Sequence, residues 1–117
     1  MNRLFHGECI EIMQGIEDNS VDMVFCDLPY GTTQNEWDSV IPFDKLWEQY
    51  HRVVKKNGAI VLTAQSPFDK ILASSNLKDF RYEWIWHKNK ATGHLNAKKM
   101  PLKAHENVLV FYRSLPT

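Results

Sequence analysis

Val21-Asp22-Met23-Val24-Phe25-Cys26-Asp27-Leu28-Pro29-Tyr30-Gly31 is the stretch on which the reading of this chain turns. Its first six residues are mostly apolar, follow the turn-forming cluster Asp18-Asn19-Ser20, and stop at a carboxylate. A short apolar run bounded by turn formers predicts a buried central strand. Beyond it stand an acid, a residue of fixed φ, an aromatic ring and a flexible hinge: Asp27, Pro29, Tyr30 and Gly31. Open α/β sheets bind their ligands beyond the carboxyl ends of their strands, so this is a position for chemistry.

On the N-terminal side, Leu4 and Phe5 predict a short strand stopped by Gly7, and Ile10, Met13 and Ile16 recur at helical spacing. On the C-terminal side, Phe43, Leu46, Trp47, Tyr50, Val53 and Val54 share one face of a helix that Gly58 follows. Ala59 to Thr63 predicts a second buried strand. Ser66 as N-cap and Pro67 at the first helical position then predict a helix with Phe68, Ile71 and Leu72 inward. Phe80, Tyr82, Trp84 and Trp86 alternate with Arg81, Glu83 and Ile85, the period of a strand with one aromatic face, expected to pack against a helix. Val108 to Tyr112 predicts the last strand. Strand-helix units followed by two strands imply an α/β layer with a mainly parallel sheet and flanking helices, in one domain over residues 1–117.

The 117 residues are 44% hydrophobic and 24% charged, an ordinary composition for a soluble domain. Lys plus Arg and Asp plus Glu are 14 each, so net charge offers no argument for a nucleic-acid partner. The distribution does: Lys88, Lys90, Lys98, Lys99 and Lys103 face one acid, Glu106, between positions 88 and 106. A solvated loop is the competing reading of those lysines. Cys9 and Cys26 form no metal-binding spacing, the five histidines are scattered, and no apolar run has membrane length. These features predict a cytoplasmic protein without a metal site or a membrane partner.

The Asp27-Leu28-Pro29-Tyr30 tetrad resembles the signature of the N6-adenine and N4-cytosine DNA methyltransferases, in which Asp, Asn or Ser precedes Pro-Pro and then Tyr, Phe or Trp. Leu28 departs from the first proline. The lead-in Asn19-Ser20-Val21-Asp22, Lys56-Asn57-Gly58-Ala59, the strand Trp84 to Lys88 and His105-Glu106-Asn107-Val108 extend the resemblance over nearly the whole chain. It implies a Rossmann-like sheet, incomplete here, with S-adenosylmethionine as cofactor and DNA as partner. It also implies catalytic roles for Asp27, Pro29 and Tyr30, and cofactor contacts from Asp27 and from Glu8 of the Gly7-Glu8 pair. Trp37 and the lysines Lys88, Lys90, Lys98 and Lys99 become candidate DNA contacts.

The residue types suit that chemistry. An exocyclic amino group is a poor nucleophile because its lone pair is delocalised into the ring. Acceptors that hold both N–H groups favour a tetrahedral nitrogen, and the Asp27 carboxylate and Pro29 carbonyl are such acceptors. Tyr30 offers a face on which an extruded base can stack, worth about 1–3 kcal/mol. The competing reading makes Asp27 a turn cap and Tyr30 a core aromatic.

The resemblance also implies a Gly-rich cofactor turn, and no two of Gly7, Gly15, Gly31, Gly58 and Gly93 form G-x-G. Two classes therefore remain open: an enzyme portion completed by another segment, and a noncatalytic nucleic-acid- or protein-binding relative. An incomplete sheet edge further predicts self-association as a homo-oligomer.

Overall fold

The computed structural model describes residues 4–28, 42–92 and 103–116. The chain runs α1 (Cys9–Met13), β1 (Val21–Asp27), α2 (Phe43–Val53), β2 (Val54–Ala64), α3 (Phe68–Ser74), β3 (Phe80–Thr92) and β4 (Lys103–Phe111). The four strands form one sheet in the order β1-β2-β4-β3.

β1 and β2 pair in parallel, and α2 is the crossover between them. β4 pairs antiparallel with both β2 and β3. Hence β1, β2 and β3 all point one way, and β4 is inserted against them. The mainly parallel expectation is right about strand direction and wrong about pairing, because β3 lands one place beyond β2 and leaves a slot that only a returning strand fills.

Register divides the side chains between two faces. Val24, Cys26, Ile60, Leu62, Leu109 and Phe111 point toward the helices, and Leu62 and Phe111 are completely buried. Leu46, Trp47, Tyr50 and Val53 of α2 and Phe68 and Leu72 of α3 close over them. Burying such side chains contributes about 1.5–3 kcal/mol each relative to exposure, so this face carries the fold. Met23, Phe25 and Asp27 point to the opposite face with Ala59, Val61 and Thr63.

Several expectations change. Residues 4–6 form no strand; Leu4 and Phe5 are exposed, with no neighbouring strand to accept their backbone among the described residues. Among the described residues β1 stands at the edge of the sheet rather than at its centre, and Met23 and Phe25 are exposed. Gly58 lies within β2, where an added Cβ would sit 2.6 Å from the Asp22 carbonyl oxygen, so only glycine permits that approach to β1. Pro67, not Ser66, is the cap of α3. Ile71 points to solvent and Asp69 is buried in its place. Trp84 and Trp86 pack under no described helix. Phe80 leaves their row: a register shift between Phe80 and Tyr82 turns its ring inward, where it stacks 5.4 Å from Phe111.

Candidate active site at the strand ends

The carboxyl ends of β1 and β2 lie side by side, with Asp27 paired to Thr63. β1 delivers Asp27 to the rim because its alternation buries Val24 and Cys26 on the helix side and leaves odd-numbered positions on the other. Leu28, the next residue, is buried and fastens the strand end to the core. The Asp27 carboxylate is exposed, and the Thr63 hydroxyl donates to its Oδ1 at 2.8 Å. Thr63 is itself buried, so this donor is fixed. A carboxylate has about four acceptor sites, the chemistry that suits a ligand N–H.

Glu8 caps α1: the Glu11 backbone N–H donates to Oε2 at 3.0 Å. That bond holds its carboxyl below the usual range. Glu8 also lines a cleft of about 480 Å³ between α1 and α2, with Lys45, Glu48 and Gln49. Behind the rim, the Tyr50 hydroxyl meets the Cys26 thiol; burial raises both groups, the phenol far above its ordinary value. Both stay neutral and serve as packing rather than as nucleophiles.

A second polar pair sits on the helix side. Asn107 on β4 donates its amide to Asp69 Oδ2, and Lys70 Nζ reaches the same oxygen at 2.7 Å. Asp69 is essentially inaccessible, and its Oδ1 has no hydrogen-bond partner among the described residues. Asn107 pairs in register with Ala64, the last residue of β2. The pair therefore ties the start of α3 to the sheet just beneath the rim.

Pro29, Tyr30, Trp37, Lys98 and Lys99 lie outside the described residues. The backbone of Lys88 and Lys90 belongs to β3, and their side chains also lie outside the description. Thr63 and the Asp69–Asn107 pair escaped the sequence reading. Their signals were there: a hydroxyl ending an apolar strand, and an amide inside the run from Val108 to Phe111 and its approach. Among the described residues no three His, Cys, Asp or Glu side chains cluster for a metal ion, and no helix is long and apolar enough to cross a membrane.

Comparison with known proteins agrees with this geometry. The chain superimposes on the M1.HpyAVI–SAM complex with a TM-score of 0.66 at 18% identity, over 94% of its own length and 56% of that chain. It superimposes on the cytosine-N4-specific PvuII DNA methyltransferase with a TM-score of 0.69 at 13% identity, over 95% of its length and 49% of that chain. In sequence it is 30% identical to the type II methyltransferase M2.MboI of Moraxella bovis, across 79 aligned positions that cover 49% of this chain and 29% of that one. The chain is similar in sequence to a type II methyltransferase over part of its length and similar in fold to solved DNA methyltransferases. No protein-family profile matches it. It spans about half the length of these solved methyltransferases, and less of M2.MboI. The Rossmann-like α/β fold expected from the sequence is the one found.

Proposed function

We propose that this chain supplies the catalytic strand ends of an S-adenosylmethionine-dependent DNA methyltransferase acting on the exocyclic amino group of adenine or cytosine. The observation that carries the reading is the Asp27 carboxylate, exposed at the end of β1 and held from behind by Thr63, in a chain with the methyltransferase fold.

Asp27 accepts an N–H of the amino group, and Thr63 keeps the carboxylate from rotating away as the nitrogen becomes tetrahedral. Orientation of this kind matters because a misplacement of about 1 Å can cost roughly 10²-fold in rate. In the same reading the Pro29 carbonyl takes the second N–H, Tyr30 stacks on the extruded base, and Trp37 with Lys88, Lys90, Lys98 and Lys99 contacts the DNA. Asp27 fits a cationic or N–H-rich ligand, since it is an exposed acid with acceptor capacity. S-adenosylmethionine, when bound, supplies an electrophilic sulfonium methyl. Glu8 is a weaker cofactor contact than Asp27, because its carboxylate already caps α1.

The test is mass-spectrometric nucleoside analysis of DNA from methylation-deficient cells expressing the protein with the remainder of the methyltransferase fold. Expected is N6-methyladenine or N4-methylcytosine with the wild type and neither with Asp27→Ala. Unmethylated DNA in both would favour the noncatalytic reading, and equal methylation in both would remove Asp27 from the chemistry.

A further inference from the structure

At the end of the sheet away from Asp27, the last turn of α2, the turn between α3 and β3, the start of β3 and the segment after β4 enclose a second cleft. It measures about 430 Å³ and is lined by His51, Asn76, Lys78, Asp79, Arg81 and Arg113. Its floor is a fixed polar cluster. The His51 ring lies against Trp47, 5.8 Å between centres, and its Nε2 donates to the Asp79 carboxylate at 2.7 Å. The Asn76 amide donates to the same oxygen at 3.2 Å. Asp79 is buried beneath them, so the one acid of the cleft is matched by two donors.

The rim is cationic. Lys78, Arg81 and Arg113 are exposed, and among the described residues none of them pairs with an acid. The two arginines are nevertheless held in place. Arg81 Nε donates to the Tyr112 carbonyl at 2.9 Å, with its guanidinium 5.1 Å from the Tyr112 ring centre, and Arg113 Nη2 donates to the Val54 carbonyl at 2.6 Å. A guanidinium has five N–H donors, so each keeps donors beyond those that the carbonyls take. The chain as a whole balances 14 basic against 14 acidic residues, whereas this cleft sets three cations against one matched acid.

We propose that this cleft binds a phosphate dianion, free or at the end of a small molecule, at a site separate from that of methyl transfer. Such a group carries about two negative charges and three strong acceptor oxygens, the complement of three cationic side chains above a buried acid. Bonds from arginine to phosphate are forked and directional, and guanidinium groups already held by carbonyls lose little freedom on binding. The C-terminal end of α2, where His51 sits, opposes an anion with roughly half a charge, less than the cations bring. Duplex DNA fits less well, since each backbone diester offers a single charge and a convex duplex does not enter a concave cleft. Val54 pairs with Val21 at the far end of β1 from Asp27, so on the order of 20 Å separates the cleft from the Asp27 rim.

The test is calorimetric titration of the 117-residue chain at neutral pH in about 0.15 M NaCl, which screens attraction between distant charges. The probes are phenyl phosphate, inorganic phosphate, phenol and a duplex with hydroxyl ends. Phenyl phosphate and inorganic phosphate should bind 1:1 and compete, and phenol should not bind. Tighter binding of the ester assigns the site to a phosphorylated small molecule, and equal binding assigns it to the free ion. K78A should weaken phenyl phosphate roughly tenfold, whereas K55A, which removes the same charge beside Asp22, binds as wild type. R81K and R113K keep the charge, lose the fork and should also weaken it, with thermal unfolding to establish that each is folded. Lys78 makes no hydrogen bond among the described residues, so K78A decides the matter even where an arginine variant unfolds. No phosphate binding, equal losses in K78A and K55A, or displacement of phenyl phosphate by the duplex overturns the proposal. Methyl transfer is not the readout, so the outcome is independent of the Asp27 reading.

Discussion

The two faces of this sheet are built from the same strands and differ in almost everything else. On one, Leu62, Leu109 and Phe111 lie under α2 and α3 with no access to water. On the other, Phe25 on β1 and Trp84 on β3 stand in solvent on the two flanking strands. Composition does not distinguish them, because both faces are apolar. What distinguishes them is the covering layer: among the described residues, helices lie over one face only.

The largest contrast should appear in stability. Leu62→Ala is expected to cost about 2–5 kcal/mol, the range for a fully enclosed leucine. Phe25→Ala, its counterpart across the sheet, is expected to change stability by less than about 0.5 kcal/mol, as for an ordinary surface position. Urea unfolding measures both. Equal losses would mean that the open face is covered and that the comparison fails.

The second contrast is between two polar groups near the rim. Asn107→Ala removes the buried one of the two donors to Asp69 Oδ2, leaving the exposed Lys70 ammonium, and should cost about 1–3 kcal/mol, as for a lost hydrogen bond to a buried charged group. Substitution of exposed Asp27 should leave stability nearly unchanged. Thermal unfolding that ranks Asp27→Ala below Asn107→Ala would make Asp27 the structural residue and not the functional one.

The smallest effect concerns α1. The Glu8 carboxyl is held below its usual value of 4.5 by the Glu11 N–H, so its support for the helix is complete above that pH. The support is lost as pH falls through the lowered folded-state value. Amide exchange at Glu11 should therefore accelerate in mild acid before the sheet responds, and Glu8→Gln should flatten that dependence. An acid response unaltered in Glu8→Gln would show that the cap is not the cause.

How much of this was legible depends on what each residue had to reveal. α2 was plain, because Leu46, Trp47, Tyr50 and Val53 recur at helical spacing and all reach the core. β1 was visible as a strand, but its apolar content implied burial on both sides, and sequence alone cannot report that Met23 and Phe25 stay exposed. Asp69 was hidden for a different reason. Local pattern put Ile71 inward, whereas the partner that holds Asp69 inside is Asn107, 38 residues away on another strand. Thr63 was hidden likewise, since its value comes from standing beside Asp27 across the β1–β2 pair.

The account rests on Asp27 acting on the substrate nitrogen while Thr63 holds it. Its most direct test is the single-turnover rate of methyl transfer to saturating duplex DNA by the methyltransferase assembled with its remaining half, wild type against Asp27→Ala. The account predicts a fall of roughly 10²-fold or more, the scale of losing one positioned partner of the transition state, with DNA affinity nearly unchanged. A variant that transfers methyl groups at the wild-type rate would contradict it.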